Sequence, residues 1–325
     1  MSPAADSLPD LAELERAATI VHAAMPATPQ YRWPLLEDRL QTELWCKHEN
    51  HSPVGAFKVR GGLVYFERLA RERPEVRGVV SATRGNHGQS VGFAAQRHGR
   101  ESVIVVPHGN ALEKNRAMRA LGVELIEEGR DFAESNEVAD RIAAERSFER
   151  MPSFHMDLVA GVGTYAMELF RAAGELDVLY VPIGLGSGAC GCIAARDALG
   201  LRTEIVGVVS SLAPAYARSW ETGTLTAVES TTVLADGMAC RVPSAAAWPH
   251  LRRGLSRIVE VTDEEVAGAM RALFADTHNA IEGAGAAGLA AAMQERGRYH
   301  RKRIGVPLCG GNVDSAVMAK VLSAD

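Results

Sequence analysis

The feature that most constrains this chain is a recurring alternation of short apolar runs with longer helix-patterned segments. The runs at 78–81, 102–107, 123–127, 178–183, 205–209 and 304–308 read as strands. Between and around them, 89–98, 112–121, 131–149, 163–173, 191–199, 263–275 and 283–296 carry helical spacing. Short strands alternating with longer helices predict parallel twisted sheets flanked by helices, an α/β fold. At 325 residues the chain exceeds what one core usually covers, which predicts two domains. Upstream, Leu8, Leu11, Leu14, Ala18, Val21 and Ala24 predict an amphipathic helix over 8–25, stopped by Pro26 and Pro29. Residues 39–47 read as a strand or hairpin, and a further helix is expected over 62–71.

Composition narrows the function classes. A net charge of -5 gives no reason to expect nucleic acid or an anionic membrane as partner. The five cysteines, Cys46, Cys190, Cys192, Cys240 and Cys309, are scattered and odd in number, which argues for a reducing compartment rather than a disulfide framework. Cys190 and Cys192 have no second close Cys/His pair, so no zinc site is expected. The first ten residues lack the apolar core of a secretory signal, and no apolar run reaches the ~18 residues of a membrane span. A cytoplasmic enzyme acting on a small molecule is expected. The histidines other than His87 show no ligand spacing.

Four stretches carry candidate chemistry. In Pro53-Val54-Gly55-Ala56-Phe57-Lys58-Val59-Arg60-Gly61-Gly62, one lysine sits between an aromatic and an aliphatic residue. Desolvation there lowers an ammonium's pKa and yields the free amine that a Schiff-base lysine needs. The stretch Ser81-Ala82-Thr83-Arg84-Gly85-Asn86-His87-Gly88-Gln89 closes a strand and opens a helix, so it reads equally as an anion site and as a capped turn. Gly184-Leu185-Gly186-Ser187-Gly188-Ala189-Cys190-Gly191 lies between another strand and helix, and its amides can surround a phosphate. It also satisfies the G-x-G-x-x-G pattern of dinucleotide sites. The next strand, however, ends Val208-Val209-Ser210-Ser211 without the acid that would hold a ribose, so one phosphate is the better fit. A structural tight turn is the plainer reading of the same loop. The last stretch, Leu308-Cys309-Gly310-Gly311-Asn312, puts a small polar side chain where it can reach a bound ring, although a buried structural cysteine is the commoner case.

Taken in order, these stretches resemble the fold-type-II (tryptophan synthase β-like) pyridoxal-phosphate enzymes. The similarity is greatest to the serine/threonine dehydratases, or threonine ammonia-lyases, and their serine racemase relatives. Lys47-His48-Glu49-Asn50 followed by Gly55-Ala56-Phe57-Lys58-Val59-Arg60-Gly61 resembles K-x-E-N…G-S-F-K-x-R-G, and Arg84-Gly85-Asn86-His87-Gly88-Gln89 resembles S-G-N-H-G-Q. Ala160-Gly161-Val162-Gly163-Thr164, Ala235-Asp236-Gly237 and Glu282-Gly283-Ala284-Gly285-Ala286-Ala287 match further family segments.

The resemblance implies pyridoxal 5'-phosphate as cofactor and Lys58 as the catalytic Schiff-base lysine that moves the α-proton. Phe57 would flank it, Asn86 would bond the ring hydroxyl oxygen, and Gly184, Leu185, Gly186, Ser187 and Gly188 would hold the phosphate. Cys309 would lie beside the pyridine nitrogen and Glu282 near the ring. Ser81, Thr83, Arg84, Gly85, Asn86 and His87 would contact substrate. Residues 1–62 and 158–325 would form a large cofactor-binding domain and 63–157 an inserted small one, with the site in the cleft. A neutral group at the pyridine nitrogen makes the ring a weaker electron sink and favours prompt loss of a β-substituent. The implied reaction is β-elimination from L-threonine or L-serine to a 2-oxo acid and ammonia, by a homodimer.

Departures from the family pattern qualify the expectation. Arg84 stands where the racemases carry the serine that acts as second base, and a guanidinium cannot serve as a base. Poor racemisation is therefore expected. Arg84 could instead clamp a second carboxylate, as of 3-hydroxyaspartate, or complete a local ion pair. The run Gly207-Val208-Val209-Ser210-Ser211-Leu212-Ala213-Pro214-Ala215 lacks the acids that bind a divalent cation in the racemase-like branch, so no metal site is expected. The chain ends at Asp325 without the regulatory extension of biosynthetic threonine dehydratases, so feedback inhibition by isoleucine is not expected. A non-catalytic cofactor-binding scaffold and a nucleotide-dependent dehydrogenase are the rival readings.

Overall fold

A computed structural model describes residues 7–130 and 132–324. Its elements begin with α1 (Leu11–His22), β1 (Gln30–Arg32), α2 (Pro34–Leu40), β2 (Glu43–Lys47), a 3-10 turn at Glu49–His51, and α3 (Lys58–Glu72). Next come β3 (Gly78–Ala82), α4 (Asn86–Arg97), β4 (Glu101–Val106), α5 (Leu112–Ala120), β5 (Glu124–Glu127), α6 (Phe132–Arg146) and β6 (Glu149–Arg150). The chain continues through α7 (Met156–Ala173), β7 (Val178–Pro182), α8 (Ser187–Ala198), β8 (Glu204–Ser210), α9 (Ala215–Thr222) and a 3-10 turn at Asp236–Met238. It ends with α10 (Trp248–Gly254), β9 (Arg257–Val261), α11 (Asp263–Thr277), α12 (Gly283–Gln294), β10 (Arg303–Pro307) and α13 (Ser315–Ser323).

Every strand read from the apolar alternation is present, and the α/β architecture is as expected. The differences have local causes. The helix expected from Gly62 begins at Lys58, because the Gly61-Gly62 pair does not break it but lies pressed against Leu158 of α7 and Ser90 of α4. Residues 39–47 are not all strand: Pro34 at the first position of α2 starts a helix that runs to Leu40. The helix expected from Gly163 starts at Met156, where the His155 side chain caps the Asp157 amide at 3.1 Å. The first helix is shorter than expected because Asp10 and Glu13 form a capping box that sets its start at Leu11. Asp131, where the sixth helix was expected to start, and residues 1–6 lie outside the described residues. Strands β6 and β9 and the short helices α9, α10 and α13, of seven to nine residues, were not read.

Two sheets result. The larger has the order β1-β2-β10-β7-β8-β9, parallel except for the antiparallel edge strand β1. The smaller, β5-β4-β3-β6, is wholly parallel. Its continuous apolar strands are buried on both faces: Val79, Ile104 and Val106 pack toward α3 and α4, and Val80, Val103 and Val105 toward α6. In the larger sheet Tyr180, Val206 and Val306 join residues of α11 and α12, and Leu179, Val181 and Ile205 join α7 and α8. Among the described residues, no helix is long and apolar enough to cross a membrane.

In each sheet the winding reverses once. The chain passes β3, β4, β5 in one direction and then returns to place β6 on the other side of β3. Likewise β7, β8, β9 run outward while β10 lies on the other side of β7. Ligands of such sheets bind beyond the strand carboxyl ends at these reversals. The loops that begin there are Thr83–Gly85 after β3, the glycine loop after β7 and the Cys309 turn after β10.

The start of α3 is tied down by buried charge. Arg60 is fully buried, its Nε 2.7 Å from Glu49 Oε2 and its Nη1 2.6 Å from Glu168 Oε1. Lys47 Nζ reaches Glu168 Oε2 at 2.6 Å, and Thr28 and Thr164 complete the shell. Replacing Arg60 by Met takes the guanidinium from Glu49 and leaves Glu168 to Lys47 and His22, and a loss of about 3–5 kcal/mol is expected in urea unfolding. Although burial opposes it, bonding to Arg60 and Lys47 holds the Glu168 carboxyl down at about 2. A carboxyl lowered from 4.5 contributes stability that is full above pH 4.5 and lost as pH falls toward about 2. Wild-type acid unfolding should therefore show a component in that window that is smaller in Arg60→Met, where Lys47 alone of the two cations still holds Glu168.

Candidate active site

The three loops converge on a cavity of about 470 Å³, lined among others by Phe57, Lys58, Arg84, Asn86, Ser187 and Cys309. A second hollow of about 260 Å³ lies beside Arg16, Glu67, Arg68 and Arg71, and no cysteine, histidine or lysine is among its lining residues.

Lys58 reaches the cavity because the segment before it pairs with the turn after β10. Ala56 and Gly310 form an antiparallel bridge, Phe57 N donates to the Cys309 carbonyl at 3.0 Å, and Gly311 N to the Gly55 carbonyl at 2.9 Å. This pairing sets Lys58 beside Cys309 at the first turn of α3. Its side chain is half-buried, the open side being the cavity itself. Nζ donates to Ser187 Oγ at 3.2 Å and lies 4.8 Å from the Phe57 ring centroid, with no carboxylate partner among the described residues. Desolvation lowers its pKa from 10.5 to about 8. Burial pushes the Cys309 thiol well above its ordinary value, so it faces the cavity uncharged.

The glycine loop opens the twelve-residue helix α8. Gly184, Leu185, Gly186, Ser187 and Gly188 all line the cavity, so the free amides and positive dipole end of α8 face it. Gly186 holds φ at +101°, and a Cβ there would lie 2.9 Å from that of Ala247. Beneath the loop, Tyr216 Oη donates to the Leu185 carbonyl at 3.1 Å and accepts from Ser244 N at 2.9 Å.

Opposite, Asn86 begins α4. Its Nδ2 donates to Glu282 Oε1 at 2.6 Å, and its Oδ1 accepts from Asn312 Nδ2 at 2.9 Å. Glu282 is buried, and Lys114 Nζ lies 3.3 Å from its Oε2 and 2.7 Å from Asp236 Oδ2. Thr83, Gly85 and His87 line the same wall, the Thr83 hydroxyl accepting from Gly85 N at 3.1 Å. Desolvation, with Lys58 and Arg150 adding to it, lowers the pKa of His87 to about 3, so its ring is neutral. Arg84 is exposed at the rim, and among the described residues it has no hydrogen bond or ion pair.

One expected substrate contact is elsewhere. Ser81 lies within β3, its hydroxyl donating to the Met151 carbonyl at 3.0 Å, and it does not line the cavity. The even pleat that turns Ala82 to the cavity turns Ser81 away. Sequence reasoning missed Lys114, Asn312 and Tyr216, and assigned no role to Asp236. Lys114 lies on a charged helix where a lysine reads as solvated. Asp236 stood in a family-like segment, which was the available signal.

The fold and the cavity define an α/β enzyme built to hold a small phosphorylated cofactor next to a free amine. The chain belongs to the pyridoxal-phosphate dependent enzyme family, whose model matches residues 22–310. The L-threonine ammonia-lyase of Thermotoga maritima is 30% identical over 319 residues, covering 98% of this chain and 78% of that one. The L-threo-3-hydroxyaspartate ammonia-lyase of Saccharomyces cerevisiae is 29% identical over 297 residues, 91% of each chain. A solved pyridoxal 5'-phosphate-dependent aspartate racemase matches with a TM-score of 0.89 at 26% identity, over 94% of this chain and 96% of that one.

The residues present fit the cofactor. A deprotonatable amine, a cradle of amides at a helix N-terminus, an amide from Asn86 and an uncharged thiol share one cavity. The cradle is tested by Gly186→Ala: the positive φ and the contact with Ala247 strain the loop by about 1–3 kcal/mol. Cofactor titration should show affinity reduced about tenfold or more, which corresponds to about 1.4 kcal/mol.

Proposed function

We propose that this enzyme dehydrates and deaminates a hydroxyamino acid, L-threonine or L-serine in the first instance, to a 2-oxo acid and ammonia. The observation that carries the reading is Lys58, an amine without a carboxylate partner among the described residues, with its pKa lowered to about 8, beside the glycine loop. When bound, the cofactor supplies an electron sink for charge developing at the substrate α-carbon. The amides of α8 hold its phosphate, and Asn86 and Glu282 set its ring edge. As a free base, Lys58 accepts the α-proton. The amides and hydroxyl of the Thr83–His87 wall take the α-carboxylate, and Phe57 keeps water from the amine.

A second reading, an acidic substrate such as 3-hydroxyaspartate, is favoured by Arg84. The ion pair that would have made it structural is absent among the described residues, which leaves a guanidinium at the rim for a distal carboxylate. Racemisation is disfavoured, since Arg84 offers no base where the resemblance calls for one. We take residues 1–62 and 158–325 as one domain and 63–157 as the other, the two sheets being their separate frames. The reading includes a cytoplasmic homodimer, the five free, buried cysteines suiting a reducing compartment. Light scattering giving the mass of one chain would refute the dimer.

The decisive experiment is an absorbance spectrum of purified wild type and Lys58→Ala, with 2-oxo acid assayed from threonine, serine and threo-3-hydroxyaspartate. A cofactor band that depends on Lys58, and oxo acid from one of the three, is expected. Colour unaffected by Lys58→Ala would defeat the assignment. Because the amine acts unprotonated, kcat should fall as pH drops through about 8. If the acidic reading holds, Arg84→Ala costs about 1 kcal/mol, roughly fivefold, in selectivity for hydroxyaspartate over threonine. Equal losses on both substrates would leave threonine or serine as the reading.

A further inference from the structure

Lys114 belongs to the smaller sheet's α5 yet makes its bonds to the larger unit. It is 6% exposed, its ammonium between Asp236 and Glu282. Its stem has a separate task. Gly85 holds φ at +154°, and a Cβ on it would stand 2.5 Å from Lys114 Cδ and 3.1 Å from Cβ and Cγ. The lysine therefore lies flush under the turn that delivers Asn86 and, through Glu282, grips the end of the same Asn86 side chain.

The hydrogen bonds around Asn86 run in one direction. Asn312 Nδ2 donates to Val54 O and to Asn86 Oδ1, each at 2.9 Å, so the amide oxygen must face Asn312. Asn86 Nδ2 donates to Glu282 Oε1, so that oxygen must accept. This holds while Glu282 is a carboxylate. Protonated, its acid could donate to a flipped amide, whose Nδ2 would then oppose the Asn312 donor. Burial raises the Glu282 pKa, and Lys114 is the main influence against that rise. Asp236 adds a second negative charge, so without the lysine the site favours the proton.

We propose that Lys114 is a positioning residue that, by pinning Glu282 with its ammonium and the Gly85 turn with its stem, fixes the direction in which the Asn86 amide meets the cofactor ring. The inference rests on the reading of this cavity as the cofactor site, and the experiment separates the two. Cofactor is titrated into wild type, Lys114→Met, Glu282→Gln and the double variant, recording affinity, band position, kcat and KM, with melting followed in parallel. Lys114→Met keeps most of the stem and removes the charge. Expected are an affinity loss of at least about tenfold, as when an outer partner of a binding group is removed, a displaced cofactor band, and a fall in kcat larger than the rise in KM. The double variant should lose less than the two single losses combined, because the acid that Lys114 leaves unpaired beside Asn86 is then gone. Should Lys114→Met fail to fold, Lys114→Arg retains the charge and should keep the wild-type band, whereas Glu282→Gln should not. An unchanged band and affinity, strictly additive losses, or lowered melting alone would overturn the inference. Absence of any cofactor band in wild type would overturn the site reading and this inference with it.

Discussion

The structure hangs on a set of charges that it removes from water. Arg60 lies two residues beyond Lys58, in the first turn of α3, and holds Glu49 after β2 and Glu168 on α7 at once. Lys47, the last residue of β2, closes the group through Glu168. Attraction among such groups barely offsets their desolvation, so the cluster is a poor source of net stability. Its worth is positional. The amine of Lys58 must arrive at one point between two sheets, and a fully satisfied buried guanidinium has few alternative places to sit. The threonines Thr28 and Thr164 take the remaining N–H groups, so no donor is left to favour a second arrangement.

From that anchor the chemistry of the cleft follows by exclusion of charge. Lys58 emerges beside Phe57, Ser187 and Cys309, none of which carries a charge that would hold its proton. At the glycine loop the cavity presents backbone amides and the α8 dipole in place of side-chain cations, which is what the proposed phosphate site would use. A lysine or arginine there would bring a positive charge toward Lys58 and consume the phosphate charge by direct pairing. Amides bind the same anion from a rigid frame with no side chain to order. The carboxylates of the site, Asp236 and Glu282, are kept on the far wall and are balanced there by Lys114.

How legible this was in the sequence depended on periodicity and on chain distance. The principal strands and helices were readable because buried parallel strands such as 102–107 and 178–183 are continuous apolar runs. Strand β6 is two residues long, and β9 is only partly buried, so neither shows that signature. At the site, Lys58, Asn86, the glycine loop and Cys309 were legible because each lies in a stretch whose composition is odd for its element. Lys114 and Asn312 were not, since what brings them to the site is hydrogen bonds to partners more than a hundred residues away, Asp236 and Asn86 respectively. Ser81, which the resemblance places against the substrate, lies within β3, where the alternation of a strand puts neighbours on opposite faces and turns its hydroxyl to the Met151 carbonyl.

The charges lining the cavity also explain why the substrate side chain is a question that Arg84 poses. Lys114 is matched by Asp236 and Glu282, and Arg241 lies 3.7 Å from Glu229. Lys58 is poised near neutrality. Among the described residues, that leaves Arg84 as the strong cation of the lining without a partner. Every amino acid brings an α-carboxylate, so an unpaired arginine does not by itself select an acidic side chain. It does so only if the α-carboxylate is already held by the Thr83–His87 wall, where the amides at the start of α4 and the Thr83 hydroxyl offer hydrogen bonds without net charge. Recognition by neutral donors on that wall and by a full charge at the rim divides the two carboxylates of a diacid between unlike sites. A monocarboxylate can occupy one of them alone, so on the proposed reading Arg84 would act on substrate choice only through what is left over after the α-carboxylate is seated.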